Sequence, residues 1–464
     1  MPSIPSSSRS AWPDHRTVWR WHFYAGLFCA PFVIVLAASG TIYLFKTEVE
    51  AWIDRDVDRL AMADRLPGGD ATAAGKSAAA LAAVPGATLK SLELPGRESG
   101  GAGATRVIVE RDGVAARVYV HPATLEILKV VPEQDRFMRR IFRLHGELWM
   151  GDRGSMLVEL AASWTIVMIL TGVYLWWPRQ ARGAAGVVYP RLRGGSRIFW
   201  RDMHAVTGVW VSGLTLVLLV SGLPWAKSWG NYLKAVRRLT GTAAATQDWS
   251  NTSEGGGQRR GAAGAGEHAG HGGGGRRGPG RDLAPEELAG IDRVCEAVGP
   301  LSLDPPVLVS PPRKRGGAWS VKSETANRPR RVELTVNAGS GAIESRRDFR
   351  DKHPIDKLVA YGIAAHEGRL FGWPNQLLGL VTAMGLVLMS GSGVVMWWRR
   401  RRAGVLGAPV ASANGRLSPG VIAAIVALAV FLPLFGLSLV AVLLLERLVL
   451  RRIPAVRDWL GLAA

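Results

Sequence analysis

Four histidines stand at matched positions beside apolar stretches of the sequence. His22 and His204 each have a glycine four residues later and a Ser-Gly pair 17 and 18 residues later. His145 and His366 each have a glycine 27 residues later and a Trp-Trp pair 31 and 32 residues later. Ionisable side chains at membrane depth are costly and usually face a bundle interior, so four matched histidines predict a functional site.

The predicted direction in which each apolar helix crosses the membrane divides these histidines into two pairs. Arginines cluster at residues 16–20, 179–201 and 399–402. The positive-inside rule assigns these three regions to the cytoplasm, so the first and third apolar helices begin there and the second and fourth begin outside. We therefore expect His22 and His204 near the inner membrane surface, and His145 and His366 near the outer one.

Paired histidines from equivalent helices suit a flat metal cofactor that is ligated from both sides. Zinc usually takes four ligands, so two histidines without an obvious further ligand favour haem. Three alternatives stay open, namely a metal site assisted by Glu147 and Glu367, a proton or ion pathway through Asp202 and Glu159, and plain interhelical hydrogen bonds. Two axial histidines leave no open position on the iron, so such a haem passes electrons.

Four glycines share the histidine faces of the first and third helices. Gly40 lies five helical turns after His22, on the same face, and Gly26 lies about 40° from that face. Gly222 and Gly208 repeat this arrangement in the third helix. We expect the missing side chains to leave room for the cofactors, while close helix packing through small residues is the alternative.

Length, composition and charge indicate a membrane protein. The chain has 464 residues, a net charge of +20 and four apolar stretches of the length that spans a bilayer, followed by a fifth with Pro433 in its middle. In a soluble protein this charge would suggest nucleic acid, but here the arginines flank apolar helices, so we expect a lipid bilayer and no nucleic acid as partner. Cys29 and Cys295 are too far apart in the chain to suggest a disulfide.

The two long loops have similar sequence patterns, as the helices do. Residues 117–131 and 331–345 both read as a strand, a turn and a second strand, which predicts a small α+β module in each loop. Residues 254–281 are rich in Gly and Arg and read as a linker, although His268 and His271 could bind a metal loosely. The chain is thus predicted to be a duplicated unit with one insertion.

Four segments carry a resemblance to a known family. They read RWHFYAGLFCAPFVIVLAASG, RLHGELWMGDRG, DMHAVTGVWVSGLTLVLLVSG and AAHEGRLFGWPNQLLG. Together with the two loops, over residues 15–400, they resemble the PepSY-associated transmembrane family of bacteria, whose best-understood members look like inner-membrane ferric-siderophore reductases. The resemblance implies two haem b groups with His22, His204, His145 and His366 as axial ligands, and loops that border the acceptor site outside.

The resemblance also implies a direction and partners. Electrons would pass from the cytoplasm to a ferric siderophore in the periplasm, releasing Fe²⁺. The chain shows no G-x-G-x-x-G between a strand and a helix, so a quinol or a separate flavoprotein is the expected donor. Two rival functions remain. One is the same electron transfer through two haems to a cupric complex or a partner protein, and the other is a PepSY sensor or inhibitor without enzymatic activity.

The predicted fold is an α-helical integral membrane bundle of four core helices in two repeats, with a fifth C-terminal helix and two small PepSY-like α+β modules outside the membrane. The predicted segments are a cytoplasmic tail (1–20), helix 1 (21–46), a periplasmic module (47–140), a surface segment with helix 2 (141–177), a cytoplasmic basic loop (178–202), helix 3 (203–226), a second periplasmic module (227–360) with the Gly/Arg insertion (250–281), a surface segment with helix 4 (361–398), a cytoplasmic linker (399–418), helix 5 (419–447) and a C-terminal tail (448–464).

Overall fold

The computed structural model describes residues 14–63, 69–95, 103–178, 183–242, 281–409 and 418–462. The chain divides into two compact units. The helical unit comprises residues 1–42, 143–236 and 377–464, and the sheet unit comprises residues 43–142 and 237–376. Apart from Arg281, the predicted Gly/Arg insertion, with His268 and His271, lies outside the described residues.

Helices and strands alternate along the chain in two similar sets. The helices are α1 (His15–Leu44), α2 (Lys46–Ala63), α3 (Ala73–Ala83), α4 (Phe137–Glu147), α5 (Asp152–Trp176), α6 (Ser196–Gly222), α7 (Lys227–Leu239), α8 (Pro285–Val298), α9 (Pro354–His366), α10 (Trp373–Arg400), α11 (Pro419–Phe431), α12 (Pro433–Leu448) and α13 (Pro454–Leu460). The strands are β1 (Thr88–Leu94), β2 (Thr105–Arg111), β3 (Val114–Val120), β4 (Ile127–Pro132), β5 (Val307–Ser310), β6 (Trp319–Ser323), β7 (Val332–Val336) and β8 (Ile343–Asp348).

Five helices within the described ranges are long and apolar enough to cross a membrane, as the sequence predicts. They are α1, α5, α6, α10 and a span of residues 433–452 that begins with α12. In the helical unit α1 packs against α5, where the Cys29 thiol lies 3.6 Å from the Ala161 carbonyl oxygen. A β-carbon on Gly385 of α10 would contact Val211 of α6, so these helices approach closely.

The fifth predicted helix, over residues 419–447, is divided in two. Helix α11 ends at Phe431 and α12 begins at Pro433. Proline has no backbone N–H and disfavours helical geometry in the residue before it, and Leu432 accordingly has φ −120° and ψ 79°. Only α12, with the residues that follow it, meets the length needed to cross the membrane, and α11 is a shorter apolar helix.

The two predicted α+β modules share one eight-stranded antiparallel sheet. Its strand order is β4-β3-β2-β1-β5-β6-β7-β8, so the hairpins predicted over 117–131 and 331–345 form its two edges. The halves join where β1 pairs with β5, with Leu92 opposite Val309 and Glu93 opposite Leu308. The two modules therefore form one continuous sheet, which could not be predicted from the sequence of either loop alone.

One hydrophobic core serves both halves of the sheet. Strand residues alternate between the core face and the other face, as β6 shows with Trp319, Val321 and Ser323 buried. The core joins residues of β1–β3 and β5–β7 with residues of α3 and α8. Because Val107 and Val309 from different halves are both fully buried in it, we infer that the halves stabilise each other.

A disulfide across β1 and β5 tests the shared sheet. Opposite residues of an antiparallel pair have Cα atoms about 4.5–5.5 Å apart, within the range that a disulfide spans. In a Cys295→Ser background, Glu93→Cys with Leu308→Cys should therefore cross-link on mild oxidation, read as linked peptides by mass spectrometry. Glu93→Cys with Ser345→Cys, four strands or about 19 Å apart, is the control. Equal cross-linking of the two pairs would contradict the strand order.

Candidate functional site

The structure brings His22 of α1 and His204 of α6 together inside the helical unit. Their ring centroids are 6.1 Å apart and their ring planes are inclined at 82°. Both rings are half-buried. The pairing of these two histidines, expected from their matched positions, is thus present in the structure, and their role as ligands stays a prediction.

One nitrogen of each ring is held by a neighbouring helix. His22 Nδ1 lies 3.1 Å from the Met168 carbonyl oxygen and 3.1 Å from Thr171 Oγ1 on α5. His204 Nδ1 lies 2.8 Å from the Met389 carbonyl oxygen on α10. A carbonyl only accepts, so we assign the proton to Nδ1 in each neutral ring. Within the described chain Nε2 of either ring makes no hydrogen bond, which leaves its lone pair for a metal.

A glycine of the same neighbouring helix lies against each of these rings. A β-carbon on Gly172 would stand 3.0 Å from His22 Cε1, and one on Gly393 would stand 3.2 Å from His204 Cε1. These are the glycines that follow His145 and His366 by 27 residues. The matched spacing marks Gly172 and Gly393 in the sequence. Spacing alone did not show that these glycines contact His22 and His204 rather than His145 and His366.

The predicted glycine positions have identifiable neighbours. A β-carbon on Gly26 would lie 3.6 Å from the Met168 sulfur, and one on Gly208 would lie 3.2 Å from the Met389 sulfur. Both glycines thus contact the methionines whose carbonyls hold the histidines. Gly222 is the last residue of α6. The predicted contact of these glycines with a cofactor stays a prediction.

His145 lies against the Ser-Gly pair at the end of α1. A β-carbon on Gly40 would stand 3.1 Å from His145 Cε1, and His145 Nδ1 lies 3.1 Å from Ser39 Oγ. The Ser39 hydroxyl donates to the Val35 carbonyl at 2.7 Å, so it accepts from Nδ1. The same proton position as in His22 and His204 follows.

His145 and His366 lie in short helices that end before the long helices begin. His145 is in the last turn of α4, and His366 is the last residue of α9. Leu148, Trp149 and Gly151 have positive φ between α4 and α5, and Gly368 and Gly372 have positive φ between α9 and α10. Left-handed backbone interrupts a helix, so α4 and α9 are short helices separate from α5 and α10.

The two acidic residues considered for an ion pathway have structural partners instead. Asp202 is fully buried and accepts hydrogen bonds from the Arg191 amide at 3.0 Å and the Arg191 guanidinium at 2.8 Å. Glu159 accepts from the amides of Ser228 and Trp229 in the first turn of α7 at 2.8 and 3.1 Å. Among the described residues no three His, Cys, Asp or Glu side chains form a metal-binding cluster.

The arginines near the histidines also have protein partners. Arg20 donates to the Pro409 and Gly461 carbonyls. Arg369 donates to Glu48 at 2.8 Å. Burial acts to raise the pKa of the Glu48 carboxyl, but the hydrogen bond from Arg369 and others outweigh it and hold that pKa below its usual value.

Five candidate membrane helices, paired histidines and a separate sheet unit define the class as a multi-pass membrane protein with an inserted α+β region. A family model described as PepSY-associated TM region matches residues 19–400, and the chain belongs to this family. No curated protein matches the sequence.

The close approach of Gly393 to His204 should make a larger residue at position 393 destabilising. Alanine favours a helix by about 1 kcal/mol over glycine, so a Gly→Ala change in α10 should stabilise the protein unless the new methyl is crowded. A β-carbon on Gly391 meets nothing within 4 Å, so Gly391→Ala is the matched control. We expect Gly393→Ala to lower the melting temperature in detergent and Gly391→Ala to leave or raise it. A higher melting temperature for both variants would contradict the contact.

Proposed function

We propose that the protein transfers electrons across a bacterial inner membrane through two bis-histidine haem b groups to a periplasmic ferric siderophore, which releases Fe²⁺. The observation that carries this proposal is the geometry of His22 and His204, whose ring centroids are 6.1 Å apart and whose Nδ1 atoms are both anchored by carbonyls. His22 and His204 would hold one haem, and His145 and His366 the other.

The distance between the His22 and His204 rings is the distance that two ligands of one metal would have. A metal–imidazole bond is about 2 Å long, so two imidazoles that share one metal would have ring centroids about 6 Å apart. The observed separation is 6.1 Å. An edge-to-face aromatic pair without a metal has a similar separation. The anchoring of both Nδ1 atoms favours ligation, because metal-binding histidines characteristically donate their other N–H to a carbonyl or carboxylate.

The protein's own residues set the chemistry of such a site. The carbonyls of Met168 and Met389 fix the tautomer and orientation of the rings and raise the basicity of Nε2. Buried Ala25, Cys29 and Val33 with Met168 form an apolar cluster on the same helices, which excludes water. When bound, haem supplies one-electron redox chemistry. With two histidines as its protein ligands, the haem would pass electrons to an acceptor and would not bind it.

The direction and the acceptor rest on the arginine distribution and on the family resemblance. The positive-inside rule puts the residues between α1 and α5, and between α6 and α10, on the periplasmic side. A ferric chelate is too large and polar to enter the hydrocarbon core, so it would be reduced beside the outer pair, His145 and His366. The donor would be a quinol or a flavoprotein, and a cupric complex or a partner protein is the alternative acceptor.

Haem content tests the proposal directly. We expect about two haems per chain in the purified protein, since the proposal assigns one haem to each of two histidine pairs. His22→Ala or His204→Ala should remove one haem, because each variant deletes an axial ligand of the same iron. His15→Ala, a change on the same helix as His22, is the control and should retain both. Pyridine haemochrome analysis measures the ratio. A wild-type protein without a Soret band would support the sensor or inhibitor alternative instead.

The exit of the electron is a separate prediction. Chemically reduced protein is mixed rapidly with a ferric siderophore and a ferrous trap. We expect fast reoxidation in the wild type and a large loss of rate in His366→Ala, in which the inner haem stays reduced. His15→Ala should behave as the wild type. Equal rates in His366→Ala and the wild type would exclude the outer site as the exit.

A further inference from the structure

Helix α9 presents His366 at its C-terminal end, and polar contacts, of which the one at its start is buried, hold both ends of this helix within the sheet unit. At its start, Asp356 lies in the first turn. Three residues after His366, Arg369 donates to Glu48. A helix of 13 residues fixed at both ends gives the side chain at its end a defined position.

The contact at the start of α9 is a bidentate ion pair. Arg237 of α7 donates from Nη1 to Asp356 Oδ1 at 2.6 Å and from Nη2 to Asp356 Oδ2 at 3.2 Å. Arg237 also donates from Nε and Nη2 to the Thr242 carbonyl at 3.1 and 2.6 Å. The Arg237 side chain is 1% exposed and that of Asp356 is 10% exposed. Two parallel hydrogen bonds fix direction as well as distance, which a single contact does not.

The contact at the end of α9 involves the C-terminal end of α1. Arg369 donates to Glu48 Oε2 at 2.8 Å and to the Leu44 carbonyl at 3.3 Å. Gln376 donates to the same carbonyl at 3.3 Å and to Glu48 Oε1 at 3.2 Å. The segment that follows His366 is therefore tied to Leu44 and Glu48, residues of the same sheet unit.

The first repeat contains a counterpart with the charges reversed. Glu50 of α2 accepts from Arg136 Nη2 at 2.8 Å, and Arg136 directly precedes α4, the helix that bears His145. In each repeat an ion pair thus joins the helix after the first long helix to the start of the short histidine helix. Because the acid and the base have exchanged places, a residue-by-residue match of the two repeats does not detect the correspondence.

A buried ion pair is a poor source of stability. Desolvation of two charges often exceeds their attraction, and well-packed apolar residues of similar size are often as stable or more so. Geometry is what the ion pair adds over an apolar contact. We propose that Arg237 and Asp356 are positioning residues for His366, which set its ring against the outer haem; this inference rests on the proposed function.

The test replaces the ion pair by apolar residues of similar size, Arg237→Met with Asp356→Leu. Most of the stability should be retained, with the loss of the two hydrogen bonds from Arg237 to the Thr242 carbonyl as the remaining cost, so a change at the histidine is separable from unfolding. Lys90→Met with Glu110→Leu, which removes a 2.7 Å ion pair between β1 and β2, is the matched control in the same unit. Absorption spectra and redox titrations of the full-length protein are recorded for both variants.

We expect the Arg237/Asp356 variant to retain the inner haem and to alter the outer one. About half of the low-spin haem signal should become high-spin, or the midpoint potential of the outer haem should shift by at least about 59 mV. For a one-electron couple this shift corresponds to a tenfold change in the equilibrium constant of reduction. The Lys90/Glu110 variant should match the wild type. Spectra and potentials of the Arg237/Asp356 variant identical to those of the wild type would overturn the inference and leave the two-haem proposal intact.

Two further measurements cover the remaining outcomes. Arg237→Lys keeps the charge but loses the bidentate geometry. It should therefore change the spin state or the midpoint potential of the outer haem in the same direction as the double variant, to a smaller extent. An unchanged outer site in Arg237→Lys would overturn the inference if the double variant does not fold. Should the wild type bind no haem, the proposed function fails, and the placement of His366 against a haem fails with it. Hydrogen exchange then decides whether the ion pair positions the helix that bears His366. Faster exchange of the α9 amides in the double variant than in the control would support that positioning role, and equal exchange would overturn it.

Discussion

The arrangement of the helical unit depends on one interaction, the hydrogen bond from a histidine Nδ1 to an acceptor on a neighbouring helix. It occurs from His22 to the Met168 carbonyl and from His204 to the Met389 carbonyl. The bond requires the ring to approach the neighbouring helix closely, and glycine at 172 and 393 permits that approach. Position, tautomer and the free Nε2 all follow from this contact, so a glycine has the same importance for the site as a histidine.

The two repeats preserve this interaction while they vary its support. The acceptor for His145 is the Ser39 hydroxyl rather than a carbonyl, and the ion pairs before the short histidine helices have opposite charge order. What the two repeats have in common is the geometry at His22 and His204. The polar residues around the histidines differ, because several combinations of side chains can hold a helix in the same place.

Much of this could be predicted from the sequence, and the limits have physical causes. Period and spacing predicted the apolar helices, the edge hairpins and the meeting of His22 with His204. The acceptors could not be predicted, since every residue carries a carbonyl and nothing in the side chain marks Met168 or Met389. The shared sheet was missed because the pairing of β1 with β5 is a long-range contact without a local turn signal. The role of Arg237 was missed because it resembles the many flanking arginines.

The pairing of β1 with β5 has a consequence for synthesis of the chain. Val307 follows Leu94 by 213 residues, so the first half of the sheet is made long before its partner strand. At 5–20 residues per second, the edge of β1 waits about 10–40 s with its hydrogen-bonding groups unpaired. An open edge of this kind invites pairing with other chains. Lys90 and Glu93 place charges on β1 during this interval, and charged side chains are a common protection of such edges against aggregation.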